Sequence, residues 1–289
     1  MAEIRTEEAR AYELRDQAPE AADAAGSGDM TAEEMNIQSA AYRHDSLGKA
    51  VFGVKPELPY AIEEAVNRLR INISFLGSDV KKIMVISSEP NEGKSFVCIN
   101  LWSQMARAGE KAVLVDCDMR NSTMKSKYKI EREDGKDLKG TSHYLSGNMD
   151  LSEVLLHSDY PTGDLMVNAD NIINPSMLLE NRKFEEMLDT LSDNYRYVFI
   201  DAPPLGLVSD GERIGNVCDG AILCVRGGMT SKSVVRESIR QLERSGCPLL
   251  GIVLNRVDNS KGGYYHKYYG KKYGYGYYSG QYYYGHGDK

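Results

Sequence analysis

Residues 83–95 read I-M-V-I-S-S-E-P-N-E-G-K-S, an apolar run followed by a polar loop that ends in Gly-Lys-Ser. The apolar run, residues 83–87, predicts a buried strand, and residues 96–108 predict a helix that Gly109 can end. A strand, a loop with Gly-Lys-Ser and a helix in this order are typical of a Walker A loop. Such a loop binds phosphate because its backbone N–H groups and the helix N-terminus converge on the phosphate oxygens.

Four positions decide how well this loop matches the Walker A pattern. Lys94 is expected to reach the β- and γ-phosphates of ATP, and the hydroxyl of Ser95 to bind Mg²⁺. Ser88 stands where the full pattern has glycine, and Asn91 stands where a positive φ can be needed, which asparagine tolerates better than most residues. The alternative is a chance Gly-Lys-Ser beside a strand, but the local context and a second motif argue against it.

Strands and helices alternate on the C-terminal side of this loop. Further strands are predicted at residues 112–115, 197–200, 220–225 and 249–253, and further helices at residues 151–156, 178–191 and 231–245. Continuous apolar strands separated by helices indicate a parallel sheet covered on both faces. We therefore predict a doubly wound, mostly parallel α/β domain of the P-loop NTPase type at residues 81–259, with disordered N- and C-terminal tails.

Three carboxylates follow two of the predicted strands. Residues 113–120 read V-L-V-D-C-D-M-R and residues 197–204 read Y-V-F-I-D-A-P-P, so Asp116, Asp118 and Asp201 stand at strand ends, where open α/β sheets bind ligands. Asp201 takes the place of a Walker B aspartate, which holds Mg²⁺ or its water shell. A solvated strand-to-loop turn is the alternative for each motif alone, but the three motifs together account for one Mg·ATP site.

The composition and charge of the chain exclude several classes of protein. The 289 residues are 42% hydrophobic and 27% charged, as in globular proteins, and the net charge of −7 argues against general nucleic-acid binding. The cysteines form no C-x-x-C pair and indicate reduced core residues; they are Cys98, Cys117, Cys218, Cys224 and Cys247. Charged residues follow Met1, and every apolar stretch is shorter than a membrane span, so we expect a cytoplasmic protein without a signal peptide.

The two ends of the chain differ from the domain between them. Residues 1–55 are largely Ala-, Glu- and Asp-rich, and disorder is expected because few large apolar side chains offset the entropy of ordering. Residues 56–80 predict an amphipathic helix, at residues 60–75. Residues 260–289 form a Tyr/Gly-rich tail that should be flexible. Its eleven tyrosines are Tyr264, Tyr265, Tyr268, Tyr269, Tyr273, Tyr275, Tyr277, Tyr278, Tyr282, Tyr283 and Tyr284.

Three motifs and the tail resemble the bacterial tyrosine kinases of capsule and exopolysaccharide systems: S-S-E-P-N-E-G-K-S, V-L-V-D-C-D-M-R and V-F-I-D-A-P-P before a tyrosine-rich C-terminus. The resemblance spans roughly residues 60–289 and includes the Asn-Pro-Ser segment at residues 174–176. It implies an ATP- and Mg²⁺-dependent protein-tyrosine kinase that phosphorylates its own tail between subunits. The related partitioning and division-site ATPases usually carry a second lysine early in the loop, for which residues 89–92 offer no counterpart.

The resemblance also implies a role for each motif residue. Ser95, Asp118 and Asp201 would hold Mg²⁺, Lys94 would bind the phosphates, and Asp116, in the Walker A-prime motif, would accept the proton of the incoming tyrosine. The residues expected to contact the nucleotide, from the loop and from the resemblance, are Glu89, Asn91, Glu92, Gly93, Lys94, Ser95, Phe96, Arg226, Asn255 and Arg256.

The helix at residues 64–73 resembles the E-x-x-R-x-x-R self-association motif of the family. Glu64 and Arg70 match it, whereas Asn67 replaces the middle arginine and Arg68 stands beside it. The motif implies a homo-oligomer such as a ring; an ordinary surface helix is the alternative. Other implied partners are a separate membrane adaptor that recruits and activates the kinase at the inner face of the plasma membrane, a tyrosine phosphatase, and nucleotide-sugar enzymes as substrates. No nucleic acid is expected.

Two other functions stay open on the sequence alone. A partitioning-type ATPase would hydrolyse ATP and dimerise on DNA or membrane without producing phosphotyrosine. An ATP-binding scaffold would gather partners through the tail, because Tyr/Gly segments with lysines can be cohesive or bind single strands. A phosphotransfer site on the same chain favours the interpretation of the tail as a substrate.

Overall fold

The computed structural model describes residues 47–55 and 58–257, which form one nine-stranded sheet with helices. The predicted leader up to residue 46 and the tail tyrosines lie outside the described residues. The strands are β1 (Gly48–Phe52), β2 (Lys82–Ser87), β3 (Ala112–Asp116), β4 (Ile130–Arg132), β5 (Leu156–His157), β6 (Gly163–Met166), β7 (Tyr197–Asp201), β8 (Gly220–Arg226) and β9 (Leu249–Asn255). The helices are α1 (Tyr60–Ser74), α2 (Lys94–Arg107), α3 (Met124–Tyr128), α4 (Thr141–Leu145), α5 (Leu151–Val154), α6 (Ser176–Leu179), α7 (Arg182–Asn194), α8 (Asp210–Asn216) and α9 (Lys232–Arg244).

The strand order is β4-β1-β5-β6-β3-β7-β2-β8-β9. The six strands from β6 to β9 in this order pair in parallel, whereas β1 with β4 and β5 with β6 pair antiparallel at one side of the sheet. The predicted doubly wound, mostly parallel fold is therefore confirmed. Because parallel strands end at the same edge, the loops after β2, β3 and β7 lie together.

One strand lies in the segment predicted to be disordered. β1 pairs with both β4 and β5, so the prediction of disorder through residue 55 was wrong for residues 48–52. Ala50 and Phe52 are buried, and the Phe52 ring lies 6.3 Å from the ring of Trp102. Two inward-facing side chains give too short a periodic pattern to be read from sequence, and the pairing partners of β1 lie far away along the chain.

Two predicted helices have different bounds in the structure. The helix predicted at residues 151–156 ends at Val154 and is followed by β5. The helix predicted at residues 178–191 is two helices, α6 and α7, because the side chain of Asn181 accepts the N–H of Lys183 and caps the start of α7.

Apolar side chains fill both faces of the sheet. On one face, Trp102 of α2 is fully buried and donates its Nε1–H to the carbonyl of Ala112 at 3.2 Å. On the other face, α7 buries Phe184 and Leu191 in a second cluster. α1 packs against α2 through Val66. Among the described residues, no helix is both long enough and apolar enough to span a membrane.

Candidate active site

The loop between β2 and α2 has a backbone that requires special residues. Gly93, the N-cap of α2, has a φ of 98°, and Asn91 has a φ of 63°, which confirms the positive φ suggested by the sequence. A Cβ at Gly93 would lie 2.1 Å from Nδ2 of Asn255, so a side chain there would displace the Asn255 amide. The first N–H groups of a helix have no partner within it, so this end of α2 is suited to phosphate oxygens.

Glu92 holds the loop in shape. Its Oε2 accepts the N–H of Glu89 at 2.7 Å, and its Oε1 accepts the N–H of Arg226 at 3.0 Å and the hydroxyl of Thr230. Asn255 donates from Nδ2 to the carbonyl of Glu92 at 2.9 Å. The side chain of Glu92 is buried and does not line the cleft beside the loop, and neither do Glu89 and Arg226. Glu92 therefore connects the loop to Arg226 at the end of β8, and Asn255 connects it to the end of β9.

Lys94 lies among three carboxylates. Its Nζ donates to Oδ2 of Asp118 at 2.7 Å and lies 3.6 Å from Oδ1 of Asp201. Asp116 is paired with Asp201 in the β3–β7 register, so both carboxylates reach the same edge. Burial lowers the pKa of Lys94, but the carboxylates of Asp201 and Asp118 outweigh burial and hold that pKa above its ordinary value. Lys94 is therefore a permanent cation in this site.

The two strand-end aspartates are costly to ionise. Burial raises the pKa of Asp116 to about 7, and the charge of Asp201 adds to the rise. Asp116 accepts the N–H of Asp118 at 3.1 Å, the N–H of Asn168 at 3.3 Å and the hydroxyl of Ser122. Burial also raises the pKa of Asp201. Three carboxylates that share one lysine favour the approach of a further cation.

A cleft of about 910 Å³ opens beside the loop. The predicted residues that line it are Asn91, Gly93, Lys94, Ser95, Phe96, Asp118, Asn255 and Arg256. Ile62 and Leu69 of α1 and Leu254 of β9 give it an apolar side. The fully buried Asp116 and Asp201 are not part of its lining. A concave site with polar groups on one side and apolar groups on the other suits a nucleotide.

The site fits Mg·ATP by its donors and its charge. Oδ1 of Asp201 is buried without a hydrogen-bond partner among the described residues, and the hydroxyl of Ser95 lies 3.3 Å from Nζ of Lys94. Within the described part of the chain, no three His, Cys, Asp or Glu side chains form a ready metal cage. Mg²⁺ needs no such cage, since one or two carboxylates hold it together with substrate phosphates and water. Ser95, Asp118 and Asp201 are suited to that role.

Arg120 and Asp210 form an ion pair that the sequence analysis missed. Arg120 donates from Nε to Oδ2 of Asp210 at 2.5 Å and from Nη2 to Oδ1 at 3.2 Å. The hydroxyl of Ser176 donates to the same carboxylate at 2.8 Å, and Arg120 also donates to the carbonyl of Ile173 at 3.0 Å. The pair fixes the loop that carries Asp118. Arg120 in the second motif and Ser176 in the Asn-Pro-Ser segment were the available signals.

The predicted self-association residues all lie on α1. Arg68 is exposed, whereas Glu64 and Arg70 are half-buried. Arg70 donates from Nε to Oδ1 of Asn67 at 3.0 Å, so the residue that replaces the family's middle arginine holds Arg70 on its own helix. The self-association of this helix stays a prediction.

Several known proteins are similar to this chain in sequence and in fold. A family model described as an AAA domain matches residues 80–211. Tyrosine-protein kinase CpsD of Streptococcus agalactiae serotype III (strain NEM316) is 37% identical over 198 residues, which cover 68% of this chain and 84% of the relative. The kinase domain of Escherichia coli tyrosine kinase ETK superposes with a TM-score of 0.61 at 26% identity, covering 74% of this chain and 80% of that one. The VpsO kinase domain superposes with a TM-score of 0.63 at 28% identity, covering 68% and 95%. The chain therefore belongs to the bacterial tyrosine-protein kinases of the capsule family.

Proposed function

We propose that this kinase transfers the γ-phosphoryl group of Mg·ATP to tyrosines in its own C-terminal tail, between subunits. The observation that most supports the proposal is the contact of Lys94 with Asp118 and Asp201 beside a cleft of nucleotide size. The sequence supplies the acceptors, since eleven tyrosines stand between residues 264 and 284.

Different residues of the site would bind the phosphates and the Mg²⁺ of Mg·ATP. Lys94 would bind the β- and γ-phosphates, and the N–H groups at the start of α2 would hold their oxygens. Mg²⁺, held by Ser95, Asp118 and Asp201, would neutralise charge on the transferred phosphoryl group. The rate then depends on positioning and charge neutralisation by these groups.

The tyrosine hydroxyl must lose its proton during the transfer. The ordinary pKa of a phenol is about 10, so a carboxylate accepts this proton late, when the new bond is largely formed. We assign this role to Asp116, as the family resemblance implies. Asp116 is fully buried here, so the loop after β3 must open for it to meet a substrate. Asp118, by contrast, lines the cleft.

The cellular role follows from the family. We propose that a separate adaptor recruits the kinase from the cytoplasm to the inner face of the plasma membrane and activates it. The output would be control of capsular or exopolysaccharide synthesis or export, with a tyrosine phosphatase opposing the kinase and nucleotide-sugar enzymes as further substrates.

Phosphorylation of the tail would act through charge. Each phosphotyrosine adds about −1.5 to −2 charges. The tail carries Lys267, Lys271 and Lys272, so several phosphates would turn a basic segment acidic and release neighbouring subunits of a homo-oligomeric ring. Light scattering of phosphorylated and dephosphorylated protein tests this release, and equal particle sizes would contradict it.

The deciding experiment is intact-mass analysis and phosphotyrosine mapping after incubation with Mg·ATP, with and without the cytoplasmic segment of the adaptor. We expect several phosphates on the tail in the wild type and none in Lys94→Met, which lacks the phosphate-binding cation. Transfer from the wild type to a mass-tagged Lys94→Met chain would establish reaction between subunits.

The same experiment separates the rival functions. ATP turnover without phosphotyrosine, even with the adaptor segment, would sink the kinase proposal for the tail and favour a partitioning-type ATPase. ATP binding with neither turnover nor transfer would favour a scaffold.

A further inference from the structure

The cations that line the cleft outnumber its carboxylates. The four basic side chains in its lining are Lys94, Arg120, Lys127 and Arg256. Asp118 is the one acidic side chain that the described part of the chain contributes to this lining. Lys94 is paired with Asp118, and Arg120 with a buried aspartate. Lys127 and Arg256 have no ion-pair partner among the described residues, so their charges are available to a ligand.

Lys127 is held beside the start of α2. Its Nζ lies 5.4 Å from the ring centroid of Phe96 and 5.2 Å from that of Tyr128. Phe96 follows Ser95 directly, in the first turn of α2. Burial lowers the pKa of Lys127, and the positive charge of Arg256 lowers it further. The ammonium group therefore lies near the phosphate-binding end of α2 and close to a second cation.

Arg256 directly follows β9 and is connected through Asn255 to the loop between β2 and α2. Its φ of 52° is in the left-handed region, which costs free energy for a residue other than glycine. Its N–H donates to Oδ1 of Asn255 at 2.9 Å, and Nδ2 of Asn255 donates to the carbonyl of Glu92 in the loop. Two cations held close together repel each other, and an anion bound beside them relieves the repulsion.

We propose that Lys127 is a nucleotide-binding residue, which with Arg256 forms a second phosphate contact apart from the Walker A loop. The inference rests on the proposed function, since it takes ATP as the ligand. An ammonium group offers three donors in a compact charge and suits phosphate oxygens. The Phe96 and Tyr128 rings keep this charge near the cleft rather than in open solvent.

The unphosphorylated tail is a poorer ligand for these cations. Residues 259–287 contain four lysines and no acidic residue, so Lys127 and Arg256 repel this segment. A nucleotide brings several negative charges to the cleft. Charge complementarity therefore favours the nucleotide.

Isothermal titration calorimetry on the full chain with Mg²⁺ and either ATP, ADP or adenosine tests the proposal. The variants are Lys127→Met, the charge-keeping Lys127→Arg, and Lys125→Met as the matched control. Lys125 lies on the same helix, donates to the carbonyl of Ala169 and does not line the cleft. We expect Lys127→Met to weaken ATP and ADP binding about tenfold without changing adenosine binding, because one charge-assisted phosphate contact is lost. Lys127→Arg should keep most of the affinity, and Lys125→Met all of it.

Each result decides the proposal. Equal ATP affinity for Lys127→Met and the wild type would overturn it while leaving the proposed kinase function standing. A similar loss in Lys125→Met, or for adenosine, would also overturn it, since the effect would then not come from a phosphate contact. No binding of ATP by the wild type would overturn both. Melting curves of each variant verify that it is folded.

Discussion

Replacing Asp116 by asparagine should make the stability of the folded protein less dependent on pH. Folding raises the pKa of Asp116 from 3.8 to about 7, first by burial and second by the charge of Asp201. The unfolded chain therefore releases this proton at lower pH than the folded chain. At 1.36 kcal/mol per pH unit, keeping the ionised carboxylate folded above pH 7 costs roughly 4 kcal/mol.

The direction of the effect follows from the raised pKa. The contribution of the protonated carboxyl is fully present below about pH 4 and is lost as the pH rises to about 7. Asp116→Asn stays neutral, so its free energy of unfolding should rise relative to that of the wild type by roughly 3 kcal/mol between pH 5 and pH 8, the larger part of the full effect. The amide cannot accept all three hydrogen bonds from Asp118, Asn168 and Ser122, which lowers its stability by about 1 kcal/mol at every pH. The change with pH, not the absolute difference, is therefore the quantity to compare.

Urea unfolding of nucleotide-free protein, measured at pH 5, 6, 7 and 8, gives this comparison. Trp102 is the single tryptophan and is fully buried, so its fluorescence reports the core. Titrating groups that do not interact with Asp116 are common to both proteins and cancel in the difference, whereas the coupled carboxyl of Asp201 contributes to it. Asp193→Asn, on the exposed side of α7, controls for loss of a surface carboxylate. A difference between Asp116→Asn and the wild type that stays flat from pH 5 to pH 8 would refute the reasoning.

Three further predictions follow from contacts of the loops around the cleft. Glu92→Gln should weaken ATP binding about tenfold in calorimetry, because an amide cannot accept all the donors that shape the loop; unchanged affinity would contradict this role. Gly93→Ala should lower the free energy of unfolding by about 2 kcal/mol or more, because the added Cβ would clash with Asn255 and residue 93 has a positive φ. A variant as stable as the wild type in urea unfolding would contradict this geometry. Arg120→Lys should lower the free energy of unfolding by about 3 kcal/mol in the same assay, because lysine cannot form the bidentate pair with a buried carboxylate. The control Arg182→Lys, in an exposed pair, should leave it almost unchanged, and equal losses would count against the buried network.

The fold could be predicted where strands are apolar on both faces. β2, β3, β7 and β8 are almost wholly buried, and their sequence runs are continuous enough to be recognised. The four strands that were missed have two to five residues each: β5 has two, β4 three, β6 four and β1 five. Such strands exist because distant segments pair with them, and no periodic pattern along the sequence records that pairing.

The parts of the site that could be predicted are those that depend on where a residue stands along its strand. Asp116 and Asp201 were expected at one sheet edge because parallel strands end there together. The role of Glu92 was not predictable, since two of its donors come from Arg226 and Thr230, more than 130 positions along the chain. Lys127 was missed for the same reason: its neighbours Phe96 and Arg256 are brought together only by the fold.

The stability and the proposed chemistry of this site depend on the same electrostatic arrangement. The β3–β7 register sets Asp116 opposite Asp201, and burial raises the pKa of both carboxyl groups. Lys94 supplies one positive charge against three carboxylates, so the ionised site is destabilising in the absence of a further cation. Mg²⁺ binding by Asp201 and proton acceptance by Asp116 would both require the ionised carboxylate, which is the form that burial disfavours. Asp116→Asn should therefore be more stable than the wild type at high pH and at the same time deficient in phosphotransfer. The negative charge that destabilises the folded protein is the same charge that the proposed reaction uses.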